Sequence, residues 1–354
     1  MRPGICLLTL VPGVVGGSEV YARSLLRELG RIEGVEPIAL LPSIAADAHE
    51  GQRHAVVRAY RASTSTPGRL LGLGGALLAG GRLRRELPLA ELDVVHFPLT
   101  VMVPRVTERP TVVSVLDLQH ELLPDLFSPA ERAYRRLVYH GSARRADRVV
   151  VISEHVKETV VERLGIPAER ITPIHLGADL DRFHPGGEPR EPFLLYPANR
   201  WPHKNHERLF AALALLRRER PELRLVLTGA GHEGHPAPDG VDVLGRVPVE
   251  RLAELYRRAS ALVYPSLYEG FGVPPIEAMA SGCPVASSWA GSLREACGDA
   301  ARLFDPTDAE AIVEAVRDVL ADPAPWVARG LERAPRFTWA ACARAHLDVY
   351  RELV

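Results

Sequence analysis

Lysine is nearly missing from this chain. Of 43 basic residues only Lys157 and Lys204 are lysines, the rest being arginines. That bias fits a GC-rich genome, and it makes a lysine retained inside a motif stand out. Cysteine is sparse too. Cys6, Cys283, Cys297 and Cys342 are scattered with no Cys-x-x-Cys pair. This argues against a disulfide framework or a cysteine zinc site and fits a reducing cytoplasm. Long hydrophobic runs are also lacking. The apolar stretch within residues 1–10 stops at Val11-Pro12-Gly13, too short for a signal-peptide core or a spanning helix, and it reads better as a first strand. Finally, no charge of one sign prevails: the net charge is −1, which excludes a globally basic nucleic-acid binder.

What is present describes a globular protein. The 354 residues are 47% hydrophobic and 25% charged, enough for two domains of ordinary size. Short apolar runs at 4–10, 35–41, 55–60, 93–96, 111–116, 148–152 and 171–175 read as strands. They alternate with helices from Ser18 (the expected cap) to 29 and over 68–86, 128–145 and 154–164. The polar stretch Gly186-Gly-Glu-Pro-Arg-Glu-Pro192 reads as a linker. The alternation then restarts, with strands at 193–197, 223–228, 241–244, 261–264, 284–287 and 301–304. Helices are predicted over 205–218, 248–258, 274–281, 308–320 and 340–353. Alternating strands and helices imply mostly parallel sheets covered on both faces. The expected division is 1–178 and 190–335, followed by the last helix within 338–354.

The densest stretch runs from Tyr264 to Met279. A buried strand gives way to a loop carrying Glu269, Gly270, Phe271 and Gly272. A helix whose start is marked by Pro274 and Pro275 comes next, with Glu277 in its first turn. The glycines let backbone approach a ligand closely, and a helix start offers free N–H groups and a positive dipole end to phosphate or sugar oxygens. Upstream, Arg200-Trp-Pro-His-Lys204 comes after the strand ending at 197. An arginine fork and a compact lysine charge four residues apart suit a diphosphate. Alone, each feature reads as an ordinary strand-loop-helix turn or a capped helix start.

Taken together, these strings resemble retaining nucleotide-sugar glycosyltransferases of glycosyltransferase family 4. The match rests on Glu269-x7-Glu277 around Gly-Phe-Gly, and on Arg200-x3-Lys204-Asn. The resemblance spans essentially the whole chain and is strongest from Phe193 to Cys297. It implies the GT-B fold: an α/β architecture of two Rossmann-like domains facing each other across a cleft, with the last helix crossing back to the first. By the same resemblance Glu269 contacts donor-sugar hydroxyls, Glu277 binds the ribose, and Arg200 and Lys204 hold the leaving diphosphate. Gly16 and Gly17 of the first loop, with Gly270, Phe271, Gly272 and Val273, supply backbone contacts. The segment Leu244-Gly-Arg-Val247 lies where the nucleobase is read through backbone atoms.

The string Leu116-Asp117-Leu-Gln-His120-Glu121 departs from the family, which usually has histidine where Leu116 stands. Asp117 matches. His120, read as a loop histidine on the acceptor or sugar side, resembles a subgroup containing polysaccharide mannosyltransferases. Leu116 would suit a sugar with an apolar 6-position. Two other patterns are decoys. Gly229-x-Gly-x-x-Gly234 fits a dinucleotide fingerprint, but the proline-rich residues after it cannot open a helix. Asp179-Leu-Asp181 mimics a metal motif but matches a non-metal segment of the family. No metal or other cofactor is expected. The arginines at 132, 135, 136, 144, 145 and 148 read as a solvated face, or else as a docking face for an anionic membrane or a lipid-linked acceptor.

The expected activity is therefore transfer of a sugar from a nucleotide diphosphate to a hydroxyl of a glycan, a lipid-linked glycan or a natural product. Mannose from GDP-mannose, or a 6-deoxy sugar, is the first expectation. The rivals are a UDP-sugar-dependent transferase, a sugar phosphorylase, and a non-catalytic partner binding nucleotide-sugar or glycan. A nicotinamide dehydrogenase rests only on the Gly229–Gly234 decoy.

Overall fold

The computed structural model describes residues 1–14, 16–63, 68, 72, 74–75 and 80–354. It divides into two compact units, Met1–Gly177 with Trp339–Val354, and Ala178–Thr338.

In the first unit the elements are β1 (Pro3–Cys6), α1 (Gly17–Leu29), β2 (Ile38–Pro42), β3 (Arg53–Val57), α2 (Gly80–Arg85), β4 (Val94–Phe97), β5 (Thr111–Val115) and α3 (Gln119–Leu122). Next come α4 (Pro129–Arg135), a π-turn (Arg136–His140), α5 (Gly141–Arg145), β6 (Arg148–Val151), α6 (Glu154–Leu164) and β7 (Ile171–Pro173). All strands are parallel, in the order β3-β2-β1-β4-β5-β6-β7. Every residue of β1, β2, β4 and β5 is buried, the mark of a sheet covered on both faces.

The second unit has β8 (Glu191–Pro197), α7 (His206–Leu216), β9 (Arg224–Thr228), β10 (Val241–Val243), α8 (Val249–Arg258) and β11 (Ala259–Tyr264). It continues with α9 (Val273–Ala280), β12 (Val285–Ser288), α10 (Leu293–Cys297), β13 (Ala301–Phe304), α11 (Ala309–Ala321) and α12 (Ala324–Arg333). Its parallel sheet runs β10-β9-β8-β11-β12-β13. In each sheet the order reverses once, between β1 and β4 and between β8 and β11. In open α/β sheets ligands bind at such reversals, outside the strands' C-terminal ends.

The last helix, α13 (Trp339–Arg351), belongs to the first unit and packs on α1. A buried polar chain ties it to the sheet. His346 Nδ1 donates to the Cys342 carbonyl (2.8 Å). Burial holds His346 down at about 4, so the ring is neutral and its Nε2 must accept from Tyr21 Oη (2.8 Å). Tyr21 Oη then accepts from Ser114 (2.7 Å), and Ser114 Oγ from His96 Nε2 (2.7 Å). His96 Nδ1 in turn accepts from Tyr350 Oη (2.7 Å). One carbonyl thus fixes every proton in the row.

Several expectations change. Helix α1 begins at Gly17 with Gly16 at the cap position, and Ser18 lies inside it. The helix expected over 68–86 falls in part outside the described residues. The 128–145 helix does start at Ser128, whose Oγ accepts from Glu131 N (3.2 Å), but it widens into the π-turn. There the Ser142 hydroxyl takes the Val138 carbonyl (2.6 Å), competing with the regular backbone ladder. The stretch read as a linker is held on the second unit, with Arg257 Nε on Glu188 (2.7 Å) and Arg190 Nη1 on the Ala259 carbonyl (2.7 Å). Glycine and proline there mark irregular backbone, not loose chain. Helix α12 is absent from the sequence expectations. Pro323 and Pro325 stand at its cap and first turn, where proline is tolerated.

Tyr350→Phe removes the end donor of the buried row and leaves His96 Nδ1 without a partner. We expect a loss of about 1–3 kcal/mol in denaturant unfolding with little change in the far-ultraviolet circular dichroism spectrum.

Candidate active site

The strands that flank the reversal in the second sheet end at the two most informative motifs. After β8 the chain turns through Asn199 to Lys204, and after β11 through Pro265 to Gly272. The turns are stitched together by Leu267 N donating to the His203 carbonyl (2.8 Å) and Asn205 Nδ2 to the Pro265 carbonyl (3.0 Å).

Lys204 is 9% exposed. Its Nζ reaches Glu269 Oε1 at 2.6 Å and Tyr264 Oη at 3.2 Å. Its carbonyl accepts from Tyr196 Oη (2.7 Å). Burial alone would push the Glu269 carboxyl up, but the Lys204 ammonium beside it holds it below the usual carboxylate range. The Glu269 backbone is fixed as well. Ser292 Oγ donates toward the carbonyls of both Glu269 and Phe271 (2.9 Å each), and Ser292 N also reaches the Glu269 carbonyl (3.2 Å). Gly291, at φ 61°, passes so close that a Cβ there would lie 2.5 Å from the Glu269 carbonyl oxygen.

Gly272 caps α9 at φ 119°, and a Cβ would lie 2.7 Å from Leu293. Only glycine meets both demands without strain. Gly270 and Val273 flank this turn half-buried. Phe271 is buried edge-on against Phe337, with centroids 5.5 Å apart, which anchors the loop from below. Glu277, in the first turns of α9, takes a different environment. Burial raises its carboxyl to about 7, even though Tyr256 Oη donates to it at 3.1 Å, and the charge of Asp179 pushes the same way. Arg200 follows β8 half-buried, with Nη2 on the exposed Glu207 (2.7 Å), a partner it can exchange for an anion.

The segment Leu244–Val247 lies beside the end of β9, with Gly229 N donating to the Gly245 carbonyl (2.8 Å). No helix comes after Gly234, so the Gly-x-Gly-x-x-Gly string is a loop, as expected. Asp179 Oδ2 is taken up by Arg182 (3.2 Å).

In the first unit, Gly16 and Gly17 sit exposed at the start of α1, on the loop after β1 at that sheet's own reversal. Asp117 follows β5, and its Oδ1 accepts from Gln119 N (3.1 Å). Leu116 beside it is half-buried. His120 is no loop histidine. It lies on α3, fully buried, with Nε2 3.1 Å from His140 Nε2.

The arginine face is largely engaged from within. Arg135 lies 4.5 Å over the Phe127 ring, and Arg136 forks onto Glu121 (2.6 and 2.7 Å). Arg144 bonds the Leu164 carbonyl (3.2 Å), and Arg148 bonds the Glu169 carbonyl (2.6 Å). Among the described residues no helix is long and apolar enough to cross a membrane.

Comparison with known proteins agrees with this arrangement. "Glycosyltransferase Family 4" matches residues 15–182, and "Glycosyl transferases group 1" matches 178–334. The O-antigen chain mannosyltransferase B of Escherichia coli is 30% identical over 74% of this chain and 75% of its own length. The chain belongs to glycosyltransferase family 4.

Other similar proteins bear different names. A D-inositol 3-phosphate glycosyltransferase of Streptomyces avermitilis is 32% identical over 58% of this chain, which spans about half (52%) of that relative's length. Among solved structures, a sucrose-phosphate synthase of Thermosynechococcus elongatus superposes over 100% of this chain and 99% of its own, with TM-score 0.78 and 23% identity. HepE of Anabaena, solved with UDP and glucose, covers 100% of both chains with TM-score 0.73 and 16% identity. The structural likenesses establish the GT-B fold, and the family matches carry glycosyltransferase activity.

Sequence reasoning did not find Tyr256 of α8, whose hydroxyl reaches Glu277, or Ser292 before α10, which holds the Glu269 backbone. No motif marks them.

Two measurements test the electrostatics. For Lys204→Met we expect a loss of roughly 2–4 kcal/mol at pH 7, because a mostly buried carboxylate loses its partner. The depressed Glu269 carboxyl contributes stability above 4.5, lost as pH falls through its lower folded value, so the deficit should narrow in acid denaturant titrations. Glu277 behaves oppositely. Between 4.5 and about 7 the folded state binds more protons than the unfolded one, so its contribution falls as pH rises. Glu277→Gln should therefore be more stable than the parent at pH 8, by on the order of 1–3 kcal/mol, and equal to it near pH 4.5.

Proposed function

We propose that this chain is a retaining, metal-independent hexosyltransferase. It moves mannose from GDP-mannose, or a 6-deoxy sugar from its nucleotide diphosphate, to a hydroxyl of a polysaccharide, lipid-linked glycan or small-molecule acceptor. The observation that carries the reading is the Lys204–Glu269 pair at the β8/β11 reversal, with Arg200 beside it and a helix start facing the same loop. A cation balanced by a carboxylate can turn toward a diphosphate when one arrives, while the carboxylate is freed for sugar hydroxyls.

In this reading Arg200 and Lys204 stabilise the charge growing on the leaving diphosphate. Glu269 orients the sugar. Glu277, poised near neutrality, accepts from the ribose hydroxyls. The backbone of Gly16, Gly17, Gly270, Phe271, Gly272 and Val273 lines the donor, and the Val247 segment reads the base. Asp117 serves the acceptor side, with the buried His120 positioning the turn that carries it. Retention proceeds by a front-side path in which the leaving phosphate oxygen takes the acceptor's proton, so no protein nucleophile is needed. Rate then comes from placement and charge. Leu116, apolar where relatives of the family usually place histidine, supports a donor with a plain methyl at position 6. Supply of nucleotide sugars places the enzyme in the cytoplasm, and an anionic inner membrane face is the setting for a lipid-linked acceptor.

The test is nucleotide release from a panel of GDP-, UDP- and dTDP-sugars by the parent, Lys204→Ala and Glu269→Ala. Slow hydrolysis of GDP-mannose or a 6-deoxy donor by the parent, reduced at least about a hundredfold in both variants, is expected. Release from a UDP-sugar alone would reassign the donor. No release from any donor, with no thermal stabilisation by GDP, UDP or dTDP, would overturn the transferase reading and favour a non-catalytic sugar-binding role.

A further inference from the structure

A second cluster, in the first unit, includes His120 and goes beyond the positioning role given to it above. Helix α3 and the π-turn bring three ligand-type atoms together. His120 Nε2 lies 3.1 Å from His140 Nε2. Glu121 Oε1 lies 3.7 Å from the former and 3.5 Å from the latter. Tetrahedral zinc binds histidine nitrogen at about 2.0–2.1 Å and carboxylate oxygen at about 2.0–2.2 Å, which sets neighbouring ligand atoms about 3.3–3.5 Å apart. The observed triangle brackets that edge. Two histidines and one glutamate are also a ligand set that zinc takes in proteins.

The surroundings suit an ion. His120 is fully buried, and the side chains of His140 and Glu121 are 8% and 10% exposed. One shared proton can link the two Nε2 atoms but leaves the Glu121 oxygen unengaged by either ring. His120 Nδ1 has no hydrogen-bond partner among the described residues, so only packing and the convergence on His140 orient this ring. Its walls are the edges of Phe127 and Tyr139, with centroids 6.4 and 6.1 Å away. Arg136 grips both Glu121 oxygens (2.6 and 2.7 Å), the kind of outer donor that orients a metal-bound carboxylate. Single widened helical turns recur at functional sites, and here the widened turn ends on His140.

We propose that His120, Glu121 and His140 form a zinc site, with a fourth position open to water. The ion would clamp α3 to the α4–α5 helix and so fix the turn carrying Asp117. Sugar transfer as proposed above does not require it, and its test is independent of donor turnover.

The full-length protein is stripped with a chelator, then titrated with zinc chloride by calorimetry and with cobalt chloride by visible absorption. We expect one equivalent of zinc bound at micromolar or tighter affinity, and the strong d–d bands of tetrahedral cobalt. His140→Gln, folded by circular dichroism, should lose roughly tenfold or more in affinity, and the exposed-site control His54→Gln should not. Should His140→Gln not fold, Glu121→Gln takes its place. No saturable binding at millimolar zinc would overturn the proposal. So would binding of one equivalent left unchanged in the ligand variants, since the ion would then sit elsewhere.

Discussion

The contact between Lys204 and Glu269 is the one on which the second unit's loops depend. It joins residues 65 positions apart, each on the turn that leaves one of the two central strands. Without it, the two turns keep the Leu267–His203 and Asn205–Pro265 hydrogen bonds but lose the charged side-chain link described above. The backbone around Glu269 is correspondingly over-determined, by Ser292 from one side and by the close pass of Gly291 from the other. The compact ammonium matters. A guanidinium brings five donors in a rigid fork, whereas the Lys204 ammonium is a point charge placed on the Glu269 carboxylate and the Tyr264 hydroxyl. A compact cation at this spot accords with a lysine kept in a chain that otherwise writes positive charge as arginine.

The loop and the helix after it hold two acids in different states. Glu269 has a cation at 2.6 Å and stays ionised. Glu277, eight residues on, has a phenol and a distant carboxylate, and sits near neutrality. Environment alone separates them, and environments that push like groups apart are how one site holds groups for different tasks. An ionised acid suits hydroxyls that must be gripped. One near its midpoint can accept or donate as the ligand requires.

Much of this was legible in the sequence because local chemistry agreed with the global fold. Helix α6 is the clearest case: Ser153 caps it, Gly165 ends it, and those two residues mark its bounds correctly. The buried strands announced themselves as apolar runs. What the sequence hid was long-range or anomalous. Nothing near Lys204 names Glu269 as its partner, and nothing near Glu277 names Tyr256 on α8. The π-turn, where a serine hydroxyl bonds a helix carbonyl, is nothing that periodicity registers, and His140 on it is not singled out beside His120. Helix α12 was hidden behind prolines whose position, not presence, decides their effect. The supposed linker was misjudged because composition reports irregularity and says nothing of tertiary ion pairs.

The scarcity of lysine gives this protein a built-in chemical reporter. Apart from the chain's own amino terminus, only two primary amines exist, and they differ sharply. Lys157 stands half-exposed on α6, while Lys204 is 9% exposed and capped by a carboxylate. An acylating reagent that spares arginine therefore meets one open target and one guarded target. The mass added at Lys204, set against that at Lys157 in the same molecule, reads how often the guarding contact opens, with no label introduced and no residue changed.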